Sequence, residues 1–245
     1  MKIKTFVAIL FTMISSSVFS QVGNNVVERS FACSVNSGYT INDVISAMRQ
    51  NDWEEGSNPG VVILREAVAV SGEFQMDWDF VVSLYYPSYT DMIERRVAFR
   101  NQSGGGTEGL RLQDVATCGD RIRINNVRFI DQSDDPIPQV TIAAGTTCQL
   151  NGASLSDAIT GVSAITQSPM GSHIRNLAVI SRGFGGPTIE QNSEVNLRLT
   201  FNSPNDFGEA MDILQSNIPT PNPDNPLSCN IGGMWAQHLI YSSNG

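Results

Sequence analysis

The sequence predicts an α+β protein made by tandem duplication of one β-α-β-β-α-β unit. Three observations carry this. The four cysteines recur at nearly equal intervals, 85 residues from Cys33 to Cys118 and 81 from Cys148 to Cys229. The segment CSVNSGYTINDVI from Cys33 to Ile45 matches CQLNGASLSDAI from Cys148 to Ile159 once one residue is deleted. Further on, FVVSLYYP from Phe80 to Pro87 matches LRLTFNSP from Leu197 to Pro204. Two units of about 100 residues are too long for solenoid repeats, so each is a small domain.

The elements of the first unit follow from local chemistry. Val26 to Val35 is an extended run that ends at Asn36 and Gly38. Thr40, with Asp43 three residues on, reads as the capping box of a helix whose apolar positions are Ile41, Val44, Ile45 and Met48. Pro59-Gly60 breaks the chain before the β-rich run Val61 to Val70, and Ser71-Gly72 begins the turn toward a strand at Phe80 to Tyr86. Tyr89 to Arg100 reads as a second helix with Met92, Ile93, Val97 and Phe99 as its apolar positions. Gly104 to Gly106 is a loop, and Cys118 precedes a fourth strand at Ile122 to Ile130. The second unit repeats the order. Its strands fall at Thr146 to Leu150, Ile174 to Ser181, Val195 to Phe201 and Met234 to Tyr241, and its helices start near Ser154 and Asp206. Pro219, Pro221, Pro223 and Pro226 make the loop before the last strand extended.

Residues 1–20 read as a signal peptide: Lys2 and Lys4, the apolar run FVAILFTMI, then small polar residues, with cleavage expected after Ser20. The apolar run is too short to span a bilayer, so no stable membrane insertion is expected after cleavage. The expected division is 21–131 for the first unit, 132–145 for a linker and 146–245 for the second unit. Export to the periplasm or the medium makes an even number of cysteines read as disulfides. In the split β-α-β, or ferredoxin-like, motif the end of strand one lies beside the start of strand four. That selects Cys33–Cys118 and Cys148–Cys229 from the three possible pairings. The net charge of −9, or −11 once Lys2 and Lys4 are removed, argues against nucleic acid as a partner.

Two such units in one chain resemble the dimeric α+β barrel superfamily in its fused form, over about Glu28 to Tyr241. The Cys-x-x-Asn-(x)-Gly-x-Thr/Ser start is also similar to uncharacterised secreted bacterial proteins built from such units. The resemblance implies two sheets facing each other with helices outside. It implies no particular activity, because functional residues differ between the superfamily's monooxygenases, haem-degrading enzymes, dye peroxidases and ligand binders.

Strand alternation supplies the site candidates. Phe80, Val82, Leu84 and Leu197, Leu199, Phe201 form the more apolar rows and are assigned to the helix-covered face. The opposite face then carries Ser83, Tyr85, Arg121 and Arg123 in the first unit and Gln149, Arg198, Asn202 and His238 in the second. In a barrel these line a lumen suited to a small anionic or amphipathic ligand; in an open sheet they are a wet face. His173, Trp53, Trp78 and Trp235 are secondary candidates, since surface placement is the commoner role for such a histidine and domain packing for such tryptophans. Asp131, Asp134 and Asp135 lack calcium-loop spacing, and G-x-S-x-G, H-E-x-x-H and C-x-x-C are absent from the sequence, so neither a metal nor a cofactor is expected. The expected function is a non-catalytic ligand-binding or accessory barrel. The alternatives are a cofactor-independent monooxygenase or isomerase using Tyr85, Arg198 and His238, and a structural or interaction module. The oligomeric state is open.

Overall fold

The β-rich runs do pair as the motif requires, and the two resulting sheets join at both edges. In the computed structural model, the described residues are 25–51, 53, 56–70, 78–101, 111–184, 193–217, 227–230 and 232–243. The expected signal peptide, the Gly104–Gly106 loop and the proline run from Pro219 to Pro226 lie outside them. The first unit contains β1 (Asn25–Val35), α1 (Ile41–Arg49), β2 (Val61–Ala69), β3 (Phe80–Tyr86), α2 (Tyr89–Asn101), a one-turn α3 (Leu112–Val115) and β4 (Ala116–Gln132). The second contains β5 (Val140–Leu150), α4 (Leu155–Ser163), β6 (Asn176–Phe184), β7 (Glu194–Phe201), α5 (Pro204–Ser216), β8 (Leu227–Cys229) and β9 (Gly233–Ser242). Around the molecule the strand order is β4-β1-β3-β2-β9-β5-β7-β6, and β6 returns to pair with β4. The antiparallel β2–β9 and β4–β6 ladders join the two halves. The chain is therefore a closed eight-stranded α+β barrel of two ferredoxin-like units, with β8 as a short additional strand on β5.

The duplication is closer than the sequence comparison shows. β1 and β5 start 115 positions apart (140 − 25), as do β2 and β6, and α2 and α5. Cys33 lies opposite Phe80, and Cys148 lies opposite Val195. Phe80 is thus the counterpart of Val195, so the match of Phe80 with Leu197 is out of register by two residues. The equivalent caps are Ser88 and Ser203, which accept from the amides of Asp91 and Asp206 at 3.1 Å each. Pro87 precedes its cap, whereas Pro204 is a first helical residue, where a missing N–H costs nothing. The two prolines look alike in sequence but occupy different positions.

Three other boundaries differ from expectation. β5 begins at Val140, inside the expected linker, so only residues 133–139 bridge the units. β4 is longer than expected because its first residues carry Cys118 opposite Cys33. The second unit divides the same stretch between β8, with Cys229 opposite Cys148, and β9. Both expected cysteine pairs stand at bonding distance, 2.11 Å for Cys33–Cys118 and 2.09 Å for Cys148–Cys229.

The helices cover the outside of the barrel. Val44, Ile45, Ala47 and Met48 of α1 pack on Val62, Leu64, Phe80 and Val82. Val162 of α4 packs against Leu177, Val179, Val195 and Leu197, and Ala210 of α5 against Phe201 and Ile142. Of the apolar positions expected on α2, Met92 is buried against Val27 and Tyr86, while Ile93, Val97 and Phe99 are exposed. With Phe80 and Val82 turned outward, the alternate residues of each strand face the lumen, and those residues make the site.

Candidate functional site

Glu28 is the centre of the lumen. It lies on β1 opposite Tyr85 of β3 and Asn125 of β4, and only 1% of it is exposed. A buried carboxylate requires both charge partners and hydrogen-bond donors. Arg65 Nη1 donates to Glu28 Oε1 at 2.9 Å, and Arg198 Nη2 donates to Oε1 and Oε2 at 3.2 and 3.1 Å. The Tyr85 hydroxyl donates to Oε1 at 3.0 Å, and Asn125 Nδ2 reaches Oε2 at 3.3 Å. Arg198 Nη1 and Arg65 Nη2 both donate to the Tyr85 oxygen, the former at 2.6 Å. Arg65 also donates to Ser83 Oγ and, through Nε, to Gln237 Oε1 at 2.8 Å.

The electrostatics follow from this packing. Burial pushes the Glu28 carboxyl up, but Arg198 and Arg65 outweigh it and hold the group far below the ordinary carboxylate range. Burial drives the Tyr85 phenol up against the opposing pull of the same two guanidiniums. Arg198 would be lowered by burial, yet Glu28 and Tyr85 keep it firmly protonated. The layer is therefore a fixed arrangement of two cations around one anion.

This layer floors a cavity of about 440 Å³ that extends toward the end of the barrel where both disulfides lie. Arg123, Arg182, Asn125 and Asn196 supply polar wall groups, and Trp78 and Trp235 supply indoles. Arg182 lies 3.8 Å from Glu194. The Trp235 ring lies over Gly145, where an added Cβ would fall 3.0 Å from ring carbon Cζ3. Glycine there lets the indole form the wall. Among the described lining residues Glu28 is the one acid and Arg65, Arg123, Arg182 and Arg198 are the bases.

Four of the expected site residues meet here: Ser83, Tyr85 and Arg198 in the floor and Arg123 on the wall. The others are elsewhere. Gln149 shares the lumen-facing alternation but lies past the mouth, exposed, with Nε2 2.5 Å from Glu194. Asn202 is exposed at the other end of β7 and accepts from Arg175 Nη1 at 2.9 Å. The side chain of Arg121 is outside the described residues. His238 requires a correction. In β9 it is Gln237, opposite Arg65 and Thr141, that turns inward. His238 faces outward beside Glu66 at 3.5 Å. Burial holds its imidazole below the ordinary value, Glu66 acts against that, and Arg49 of α1 adds to it. Of the secondary candidates, Trp53 stacks on Tyr241 at 5.1 Å outside the lumen, and His173 lies 3.2 Å from Glu209.

Glu28, Arg65, Asn125 and Gln237 escaped the sequence reading. A signal was present for the first two, because each is a charge that directly follows a run of aliphatic residues inside an expected strand, in VVERSF and VVILREAV. An ionised side chain in mid-strand points to a polar inner face. Comparison of the copies hides it, since the counterparts 115 positions on are Ala143 for Glu28, Ile180 for Arg65, Thr200 for Tyr85 and Arg198 for Ser83. The helix caps are shared by the two copies, but the lumen residues are not.

No family model and no curated protein matches the chain. Among solved structures it is similar to a proposed monooxygenase of Lactobacillus acidophilus, with a TM-score of 0.47 and 7% identity, covering 91% of this chain and 98% of the other. A proposed monooxygenase of Fusobacterium nucleatum gives a TM-score of 0.45 and 10% identity, covering 89% and 92%. The encapsulated DyP-type peroxidase of Mycobacterium smegmatis gives 0.44 and 9%, covering 87% and 93%. The strand order of this chain, two ferredoxin-like sheets closed edge to edge, is by itself that of the dimeric α+β barrel in fused form.

Proposed function

We propose that this chain is an exported, disulfide-braced barrel that binds a small anionic, amphipathic molecule in its lumen. The observation that carries the reading is the 440 Å³ cavity, with one carboxylate and four guanidiniums among its described lining residues and two indoles in its wall. Ligand sites pair an apolar enclosure with a few fixed polar groups, and guanidinium holds carboxylate or phosphate in a bidentate fork. Export rests on the basic, apolar and small-residue pattern of residues 1–20, and the two cysteine pairs fit an oxidising compartment.

Binding is favoured over proton chemistry by the floor itself. A carboxylate held far below its ordinary range is a poor base, and a phenol pushed up is a poor acid. His238, the group that could have titrated near neutrality in the lumen, is on the outer face.

The test is titration with laurate, indole-3-acetate and 1-anilinonaphthalene-8-sulfonate, followed by tryptophan fluorescence and melting temperature. At least one should bind saturably at one per chain and be recovered unchanged. Arg182→Ala or Arg123→Ala should weaken it about tenfold, which corresponds to roughly 1.4 kcal/mol. If none binds saturably to the folded protein, the reading is wrong; if a bound compound is converted, the chain is an enzyme.

A further inference from the structure

The barrel has a second, smaller space behind the Glu28 layer. It measures about 20 Å³, and its polar lining is Arg65, Arg175, Arg198, Thr141, Thr200 and Gln237 together with Tyr85 and Asn176, with apolar neighbours that include Ile63 and Phe129. One water occupies about 10–15 Å³ on this measure, so the chamber takes a single small species and excludes carboxylate, sulfate and phosphate. Arg65, Arg175, Thr141, Thr200 and Gln237 are each less than a tenth exposed.

The acceptors around it are already engaged: the Tyr85 oxygen accepts from Arg198 Nη1 at 2.6 Å, and Asn176 Oδ1 accepts from the Ser133 amide at 3.3 Å. Gln237 has a fixed orientation, because its Oε1 accepts from Arg65 Nε at 2.8 Å. Its Nε2 therefore faces the threonines and donates to Thr141 Oγ1 at 3.4 Å and Thr200 Oγ1 at 3.3 Å. Both hydroxyl oxygens are used as acceptors, and neither hydroxyl proton has a protein acceptor among the described residues. Arg175 is only 4% exposed. Its Nη1 donates to Asn202 Oδ1 at 2.9 Å and its Nη2 to the Asp135 carbonyl, but its Nε–H has no acceptor among the described residues. A buried donor without an acceptor is costly. The charge has the same sign as the donors. Arg65 and Arg198 share the single charge of Glu28, and the one acid acting on Arg175 is Asp135, an exposed residue of the bridge.

We infer that this chamber is a binding site for one monatomic anion, a halide, held by the Thr141 and Thr200 hydroxyls and the Arg175 Nε–H. A halide is an acceptor in every direction, is close to water in size, and supplies the negative charge that three clustered guanidiniums lack. The inference does not depend on the ligand proposed for the larger cavity, from which the Glu28 layer separates it.

The experiment uses the full mature chain. Melting temperature is measured in sodium chloride and in sodium gluconate at equal ionic strength, gluconate being too large for the chamber. Crystals grown or soaked in sodium bromide are measured at the bromine absorption edge. A saturable rise of several degrees specific to chloride is expected. A bromide peak is expected within hydrogen-bonding distance of Thr141 Oγ1, Thr200 Oγ1 and Arg175 Nε. The double substitution Thr141→Val and Thr200→Val should remove the chloride-specific rise; if that variant does not fold, the wild-type bromide peak decides alone. Coincident chloride and gluconate curves, or a chamber with no bromide in it, would overturn the inference and leave a site for water only.

Discussion

At the scale of single residues, Glu28 matters most to both stability and the site. It is surrounded by donors from β2, β3, β4 and β7, so its removal leaves two guanidiniums in the barrel with no counter-charge. Breaking a buried ion pair from one side costs about 3–5 kcal/mol, more than the pair itself contributes. Glu28→Ala should therefore lower the unfolding free energy by roughly that amount, as read by urea titration followed by circular dichroism. The pH dependence has a definite sign. The folded carboxyl titrates below its unfolded counterpart, so its stabilisation is complete above about pH 4.3, the ordinary value of a glutamate, and is lost as pH falls below that. Wild-type stability should decline between about pH 4.3 and the folded value, and Glu28→Gln should flatten that part of the profile. An equally steep decline in the variant would show that other carboxylates control acid unfolding.

At the scale of elements, what could be read from the sequence was whatever local chemistry determines. The Thr40 and Ser154 caps are both capping boxes, with each hydroxyl accepting from the amide three residues on, at 3.3 and 3.2 Å. Thr40→Ala and Ser154→Ala should each cost about 1 kcal/mol in urea denaturation. A loss near zero for either would mean that its helix is held by packing alone. The outward rows of β3 and β7 were legible for the same kind of reason, since Leu197 and Leu199 alternate with Asn196 and Arg198, and Phe80, Val82 and Leu84 share one face of a run whose other face carries Ser83 and Tyr85. β9 was not legible. Its sequence, GMWAQHLIYS, has no clean alternation, so nothing local distinguishes Gln237 from His238. The β2–β9 ladder also shifts between Val62 and Ile63 and between Ala67 and Ala69, so the inward face can be assigned only from the assembled sheet. The sequence starts β5 too late because Ala143-Ala144-Gly145, low in strand propensity, separates the β-branched Val140-Thr141-Ile142 from Thr146; pairing with β7 and β9 makes the whole stretch one strand.

For the whole molecule, closure is the property on which the site depends. A ferredoxin-like sheet alone has two open edges, and in this chain both edges of each sheet are used, β2 against β9 and β4 against β6. The disulfides do not link the halves: each closes a loop within its own unit, with separations of 85 and 81 residues. Loop-closure entropy assigns each roughly 4.5 kcal/mol, so a unit can be braced without its partner. Its edges cannot. Residues 21–139 alone would expose the long β2 and β4 edges, and Glu28 would keep Arg65 but lose Arg198, which belongs to the other copy. Exposed edges of that length seek other strands. The isolated segment should therefore associate with itself, whereas co-expression with residues 140–245 should give a one-to-one complex with the lumen restored. Native mass spectrometry separates the cases. A half-chain that stays monomeric at micromolar concentration and unfolds cooperatively would show that the seams are secondary, and that the lumen is a gap between two independent domains rather than the core of one barrel.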